Sequence, residues 1–342
     1  MTQLFHQTAK IALILIYLVI LAGAVVRMTG SGMGCPDWPK CFGYYIPPTE
    51  ASALQFKPDH HYSKGHIIIL NDSLWVAKKD FTSSESISLE QWSPYTTHDY
   101  ATYNPLHTWI EYINRLLGAL SGLPILLLAF LSLKRWKINR WNTVVGILTL
   151  IGIGFQAWLG KTVVDSNLAP FKITIHMVMA LVIVAFLIYQ ITSSNDQFIK
   201  IEKDQTFKYL VLFTLTLSLV QIVLGTQVRQ FVDTQIKSLG DIPALWMSKP
   251  LVNFYWHRSM SILILLTNIG VFWRNRSKNL PFKSITLWIL LMIGIEVLSG
   301  ILMFYFDFPF STQPIHLMMA TILFGLQFYL WMTYKKQTQH DL

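Results

Sequence analysis

Charged residues are scarce in this chain of 342 residues: Asp, Glu, Lys and Arg make up 13%, whereas hydrophobic residues make up 53%. A typical soluble domain carries about 25% charged residues. The mean hydropathy of +0.43 is also too high for a soluble protein of this length. The low charge therefore excludes an ordinary soluble protein and indicates an integral membrane protein.

The apolar segments also lack the period-2 alternation that is typical of a membrane β-barrel, because their hydrophobic runs are continuous. A helix of about 20 apolar residues is long enough to cross a bilayer. The runs that reach this length lie near 11–28, 108–133, 141–164, 173–191, 207–228, 252–273, 285–305 and 314–334. The sequence therefore predicts an all-α membrane protein with eight transmembrane helices.

Cysteine is nearly absent as well, since Cys35 and Cys41 are the two cysteines of the chain and the second half contains none. Both lie in a long loop, 29–105, which we expect on the oxidising outer side of the membrane, where a pair this close can form a disulfide. Two roles remain for the pair: a structural staple, or thiol–disulfide exchange with a partner. The same loop contains a segment, 66–79, that predicts two short strands around Asn71–Asp72.

What the chain does contain is an internal repeat. GFQAWLG at 154–160 is matched by GIEVLSG at 294–300, and each is followed at the same sixteen-residue distance by a histidine, His176 and His316. Three further matched pairs are Asn114 with His257, Arg115 with Arg258, and Arg27 with Arg229. The repeat predicts two homologous four-helix bundles in parallel orientation, 1–195 and 205–342.

Basic residues indicate the side of the membrane on which each loop lies. They concentrate in the connections 134–140, 199–208 and 274–283 and in the C-terminal tail. Positively charged loops stay in the cytoplasm, so we expect both termini there and the loop 29–105 outside. The formal charge of +9 is then a topology signal and not a nucleic-acid surface.

Polar residues inside a membrane are costly and tend to be functional. Four are expected at similar depth in the outer leaflet: Asn114, His176, His257 and His316. His257 and His316 belong to the same half, and two imidazoles that face each other across a bundle can ligate a haem iron. Further ligands for zinc or copper are few in that half, so the sequence favours a bis-histidine haem site.

The first half differs at one of these positions, because Asn114 stands where the repeat calls for a histidine, and an amide is a poor iron ligand. His107, Glu111 and Asn114 share one helix face at i, i+4 and i+7, which makes His107 a candidate substitute ligand. Glu111 is a candidate general acid or base, or a stabiliser of developing positive charge. Its alternative role is a salt bridge to Arg115 or to another helix.

Four arginines accompany these positions: Arg27, Arg115, Arg229 and Arg258. Guanidinium groups suit the carboxylate side chains of two haems. The alternative is that their side chains extend to the outer membrane interface without binding a ligand.

Together these segments resemble the haem A synthases, membrane enzymes of bacteria and mitochondria. The resemblance covers nearly the whole chain and rests on GAVVRMTGSGMGCPDWPKC, EYINRLLGALSG, GFQAWLGKTVV with IHMVMA, QIVLGTQVRQ, YWHRS and PIHLMMA, in this order. It implies that His257 and His316 ligate a haem b cofactor. It also implies that the N-terminal half binds the substrate haem O through His176, with Glu111 as the catalytic carboxylate. Asn114 breaks the family motif E-x-x-H, so substrate ligation by two histidines does not transfer.

The activity that this resemblance implies is oxidation of the C8 methyl of haem O to a formyl group, by successive hydroxylation and loss of water from a gem-diol. The product, haem A, serves terminal cytochrome oxidases. Expected partners are therefore a haem O synthase, cytochrome oxidase assembly factors and an electron acceptor that the sequence does not identify. The expected location is the cell inner membrane, within the lipid bilayer. A mechanism that needs two cysteine pairs does not transfer.

Two other classes remain open. A b-type cytochrome that only carries electrons predicts that Glu111 is dispensable, and a transporter predicts no haem at all. The outer loop also contains His60, His61, His66 and His98, which we expect to be solvated, with metal binding as the alternative. The length of this loop leads to the hypothesis that it caps the substrate site.

Overall fold

Long helices dominate the computed structural model, which describes residues 2–96, 103–195, 199–240 and 242–338. In chain order the helices are α1 (Thr2–Met28), α2 (Pro105–Leu133), α3 (Arg140–Asp165), α4 (Pro170–Ser194), α5 (Gln205–Leu239), α6 (Pro243–Trp246), α7 (Val252–Ser277), α8 (Lys283–Tyr305) and α9 (Thr312–Thr338). Apart from the four-residue α6, they are 23 to 35 residues long. This confirms the all-α membrane class.

Several helix starts are specified by local sequence. The side chain of Asn104 accepts hydrogen bonds from the N–H groups of Leu106 and His107 at the start of α2. Asn139 and Asp204 cap α3 and α5 in the same way. Such side chains satisfy backbone N–H groups that have no partner within the helix.

Seven of the described helices are long and apolar enough to cross a membrane. The remaining long helix, α7, is not among them because it carries His257, Arg258 and several asparagines. Of the eight predicted transmembrane helices, seven are thus supported as spans within the described residues. The role of α7 as an eighth span stays a prediction.

The predicted bounds differ most at α5, which continues to Leu239, eleven residues past the expected end at 228. The extra residues include Arg229, Asp233 and Lys237, so the apolar run ends before the helix does. The length of an apolar run matches the thickness of the hydrocarbon core. The part of a helix that continues into the polar interface is therefore not predicted by hydropathy. The extension places Asp233 beside the site described below.

The long helices pack as two rings of four. In the first ring α1 and α3 each contact α2 and α4, and in the second α5 and α8 each contact α7 and α9. Hence α2 lies diagonally across from α4, and α7 across from α9. The rings meet along α1, α4, α5 and α9. At this junction Gly325 approaches Tyr17 so closely that a methyl group on the glycine would lie 2.1 Å from the phenol oxygen.

The outer loop contains five short strands: β1 (His61–Tyr62), β2 (Ile67–Leu70), β3 (Ser73–Ala77), β4 (Phe81–Thr82) and β5 (Trp92–Pro94). β2 and β3 form an antiparallel hairpin whose turn residues, Asn71 and Asp72, have φ of 49° and 56°. Asn and Asp tolerate this left-handed conformation, which two-residue hairpins favour. The predicted pair of strands is confirmed. β5 adds a third strand beside β3, and β1 pairs with β4; these strands are too short to show a sequence period.

Candidate functional site

Each of the four polar residues at repeat-related positions faces a glycine on a neighbouring helix. A methyl group built on the glycine would lie 3.7 Å from Asn114 Oδ1 at Gly23, 3.5 Å from His176 Cε1 at Gly160, 3.1 Å from His257 Cε1 at Gly225 and 3.7 Å from His316 Cε1 at Gly300. A larger residue at these glycines would occupy the space of the ring or amide. The sequence repeat is thus also a repeat of contacts.

In the second ring, His257 on α7 and His316 on α9 face each other. Their ring centroids are 6.2 Å apart and their planes are inclined by 68°. Metal–imidazole bonds are about 2 Å long, so this gap suits one metal atom held between the two rings. Both histidines line a cavity whose walls are mostly apolar and include Phe254, Met303 and Phe304.

Arg27, Arg229 and Gln313 line the same cavity. Arg27 donates to Asp233 Oδ2 at 2.7 Å, Arg229 lies 2.9 Å from Asp233 Oδ1, and Arg229 also donates to Gln313. Two guanidinium groups thus share one carboxylate. The buried Nε of Arg229 has no hydrogen-bond partner among the described residues. The group therefore retains donor capacity for a second anion.

Arg258, expected to serve a haem carboxylate, is placed elsewhere. Its side chain is exposed and lies over the rings of Phe254 and Tyr255, with the guanidinium carbon 6.0 and 5.4 Å from the ring centroids. It is not part of the cavity wall, which instead contains Arg27 from the first ring. The structure brings Arg229 to His257 and His316 but does not bring Arg258 there.

Three polar residues near the histidines were missed by our sequence analysis. Gln156 donates to His176 O at 3.0 Å, Gln221 donates to His257 O at 2.9 Å, and Glu296 Oε2 lies 3.2 Å from His316 Nδ1. Each precedes its histidine-facing glycine by four residues, so the repeat alignment contained the signal.

In the first ring, Glu111 is buried and its carboxylate is fully engaged. Oε2 accepts a hydrogen bond from Cys35 N at 2.9 Å, and Oε1 is paired with Arg115. Arg115 also donates to the carbonyls of Asp37 at 2.7 Å and Lys40 at 3.0 Å. The salt bridge considered as the alternative role for Glu111 is therefore present within α2, and the hydrogen bonds of both residues to the backbone of the cysteine loop tie α2 to that loop.

The other residues expected at the substrate site lie on the same two helices, α2 and α4. Asn114 Oδ1 and His176 Nδ1 are both buried and find no hydrogen-bond partner within the described ranges. His107 is half-buried at the start of α2, where its backbone carbonyl would lie 2.4 Å from a methyl group on Gly34. Two buried polar atoms without partners are costly, and they indicate that a ligand completes this region.

Cys35 and Cys41 form a disulfide, as predicted, with a Cα–Cα distance of 4.8 Å. Within the loop that they close, the Asp37 carboxylate accepts hydrogen bonds from Phe42 N at 2.5 Å and Gly43 N at 2.8 Å. Burial raises the pKa of Asp37 above its ordinary value, against the opposing effect of these two bonds. The disulfide loop is thus internally bonded as well as attached to α2.

Among the described residues, the outer-loop histidines do not join a group of three or more His, Cys, Asp or Glu side chains close enough to share a metal ion. His66, expected to be solvated, instead stacks on Tyr44 with ring centroids 4.5 Å apart. Burial, followed by the charge of Lys40, lowers its pKa. His60 packs edge-on against Tyr62, His61 is exposed, and His98 lies outside the described residues.

Comparison with known proteins agrees with this architecture. A family model described as COX15-CtaA, cytochrome oxidase assembly protein, matches residues 7–81 and 83–328. The chain belongs to the COX15-CtaA family. The match includes most of α1, all of α2 to α8 and most of α9, so membership rests on both rings and not on one motif.

Similar members of the COX15-CtaA family are named heme A synthase. The protein of Wolbachia pipientis wMel is 23% identical over 95% of this chain and 91% of its own length, and that of Alkalihalophilus pseudofirmus is 25% identical over 96% and 97%. The protein of Shewanella oneidensis is 27% identical, but the match spans 63% of this chain and only 54% of that protein. The family resemblance inferred from the sequence is confirmed.

Proposed function

We propose that this chain is a haem A synthase that oxidises the C8 methyl of haem O to a formyl group. The observation that carries the proposal is the difference between two repeat-related sites. One has two histidines that face each other 6.2 Å apart. The other has one histidine, His176 on α4. The helix diagonally across from it, α2, carries the buried carboxyl of Glu111.

The second ring would hold haem b as a cofactor. His257 and His316 supply two imidazoles at a separation that suits one iron atom, and the cavity around them is mostly apolar. Arg27 and Arg229 offer guanidinium groups to the carboxylate side chains at the outer end. When bound, the haem would accept or relay the electrons removed from the substrate. The donor set and the walls therefore fit this group.

The first ring would hold haem O as the substrate. His176 carries a buried Nδ1 without a hydrogen bond in the described structure and would act as the iron ligand, while Asn114 offers only an amide. Asn114, or His107 nearer the membrane edge, would be the candidate for a second contact with the iron. A substrate must leave after reaction, and a single protein ligand would favour release.

Glu111 would act as the general acid or base beside the substrate methyl, or would stabilise positive charge that develops there. Its contacts with Cys35 and Arg115 fix the position of the carboxyl, and Arg115 is itself held by backbone carbonyls of the cysteine loop. Preorganised groups of this kind need no rearrangement at the moment of reaction. We propose that Arg115 and the disulfide loop position Glu111.

The cellular setting follows from topology and family. We propose that the protein lies in the cell inner membrane with both termini in the cytoplasm, because the connections between α2 and α3 and between α7 and α8 are rich in Lys and Arg. The sites then open toward the outer leaflet. Its partners would be a haem O synthase, cytochrome oxidase assembly factors and an electron acceptor.

Pigment analysis after expression with a haem O synthase tests the proposal. We expect haem A and haem b in the wild type, and in Glu111→Gln we expect haem b with haem A formation reduced by about 10²- to 10⁴-fold, the usual contribution of a general acid or base. Lys161→Gln is the matched control, because Lys161 forms a solvent-exposed pair with Asp165. Haem b without haem A in the wild type would instead support a b-type cytochrome that only carries electrons.

A further inference from the structure

The cavity of the second ring contains a carboxyl, Glu296, for which the proposed reaction gives no role. It lies on α8, and its side chain is 16% exposed. Glu296 Oε2 lies 3.2 Å from His316 Nδ1, whereas Oε1 is buried and has no hydrogen-bond partner among the residues that the structure describes. A carboxyl at membrane depth is expensive and is usually functional, so its contact with a haem-ligand candidate needs an explanation.

The surroundings of His316 Nδ1 specify where the ring proton lies. This nitrogen is hydrogen-bonded to Ser299 Oγ at 2.9 Å and to Glu296 O at 3.1 Å, and the carboxyl oxygen Glu296 Oε2 lies 3.2 Å away within ion-pair distance. The Ser299 hydroxyl already donates its proton to Glu296 O at 3.0 Å. A backbone carbonyl can only accept, so the contact with Glu296 O assigns Nδ1 as the protonated nitrogen. The Nε2 lone pair is then free to bind a metal.

The equivalent positions of the repeat lack this arrangement. The residues four before the histidine-facing or Asn114-facing glycines are Val19, Gln156, Gln221 and Glu296. The two glutamines donate to the backbone carbonyls of His176 and His257, and neither pairs its side-chain oxygen with the Nδ1 atom of that ring. Glu296 is the one carboxylate of the four, and it contacts the ring itself.

We propose that Glu296 is a positioning residue for haem b, which holds His316 in the Nδ1–H tautomer with Nε2 free for the iron and makes it a stronger donor than His257. The inference rests on the haem b site of the proposed function. A carboxylate behind a ligating histidine fixes the ring and increases its basicity. A more basic ligand favours ferric over ferrous iron, so Glu296 lowers the reduction potential of this haem.

Equilibrium redox titration of the full-length protein with its haem b, purified in detergent, tests the inference in Glu296→Gln. The amide keeps the size and one acceptor oxygen but accepts the Nδ1 proton more weakly. We expect the equilibrium ratio of ferric to ferrous haem b at a given applied potential to fall about tenfold. For a one-electron couple this raises the reduction potential by about 59 mV. The low-spin ferric EPR signal should shift as well. Gln156→Leu changes the equivalent position of the first ring and should leave the haem b potential unchanged.

An unchanged potential and EPR signal in Glu296→Gln, at wild-type haem content, would overturn the inference. If the variant binds haem weakly, thermal unfolding of the haem-free protein decides. Normal stability of the haem-free variant supports a role at the haem ligand. If the variant loses as much stability without haem as with it, Glu296 has only a structural role and the inference is refuted. Ser299→Ala, which removes a neutral acceptor, should shift the potential in the same direction but by less. Absence of haem b from the wild type would refute the cofactor site itself and would be seen before any variant is compared.

Discussion

The two halves place opposite kinds of side chain at the same helix position. In the first ring this position is Glu111, bound to Arg115 and to the cysteine loop. In the second ring it is Phe254, which stacks on Phe304 with ring centroids 4.8 Å apart and lines the cavity. One half thus has a charged group held by an outer loop, and the other has an apolar wall. Under the proposed function, one helical frame would serve chemistry in one half and cofactor retention in the other.

The ligand positions differ in the same sense. His257 and His316 face each other, and His316 is held through Nδ1 by Ser299 and Glu296. In the first ring His176 has no Nδ1 partner within the described structure, and Asn114 replaces the second histidine. A cofactor that stays benefits from two oriented ligands, whereas a substrate that leaves does not. The three predictions that follow test this division, from the largest expected effect to the smallest.

The largest effect is expected for His257→Ala. Loss of one of two iron ligands exceeds the 10- to 100-fold fall in affinity that is typical for supporting residues, so the purified protein should contain almost no haem b. Absorption spectra and pigment extraction measure this directly. His176→Ala is the matched variant of the other half. It should retain haem b but fail to form haem A, and loss of haem b in both variants would contradict the division.

A smaller effect is expected for Gly225→Ala. The new methyl group would lie 3.1 Å from His257 Cε1, so the ring must move by a few tenths of an ångström. We expect haem b affinity to fall by about tenfold, as for other changes that misorient a ligand, measured by haem transfer to an acceptor protein. In Gly300→Ala the methyl group lies 3.7 Å from His316 Cε1, an ordinary contact, and affinity should stay within a factor of two. Equal losses in both variants would argue against steric control at Gly225.

The smallest effect is expected when Cys35 and Cys41 are both replaced by Ser. Closure of a loop this short contributes about 2 kcal/mol through the unfolded state, and its loss should loosen the carbonyls that hold Arg115. Limited proteolysis should cleave the outer loop faster, and haem A formation should fall while haem b content and potential stay the same. A shift in the haem b potential would show that the loop acts on both halves.

The sequence was most informative where physical constraints are local or repeated. Continuous apolar runs identified the long helices, the Asn71–Asp72 turn identified a hairpin, and the equal spacing to His176 and His316 identified the repeat. The bounds of α5 were missed because its last turns are polar. Glu296 was missed because its role depends on a neighbour twenty residues away, although the repeat alignment placed it beside Gly300.

The sequence by itself determined the membrane class, the repeat, the family and the set of residues that can ligate iron, because hydropathy and spacing are properties of the chain. Tertiary structure alone decided which residues distant in the chain meet. It brought Arg27 of the first ring to the cavity of the second, left Arg258 exposed, and placed the Glu111–Arg115 pair against the backbone of the disulfide loop. The physical reason is that hydrogen bonds act over about 3 Å, a range that depends on how helices pack and not on their order in the chain.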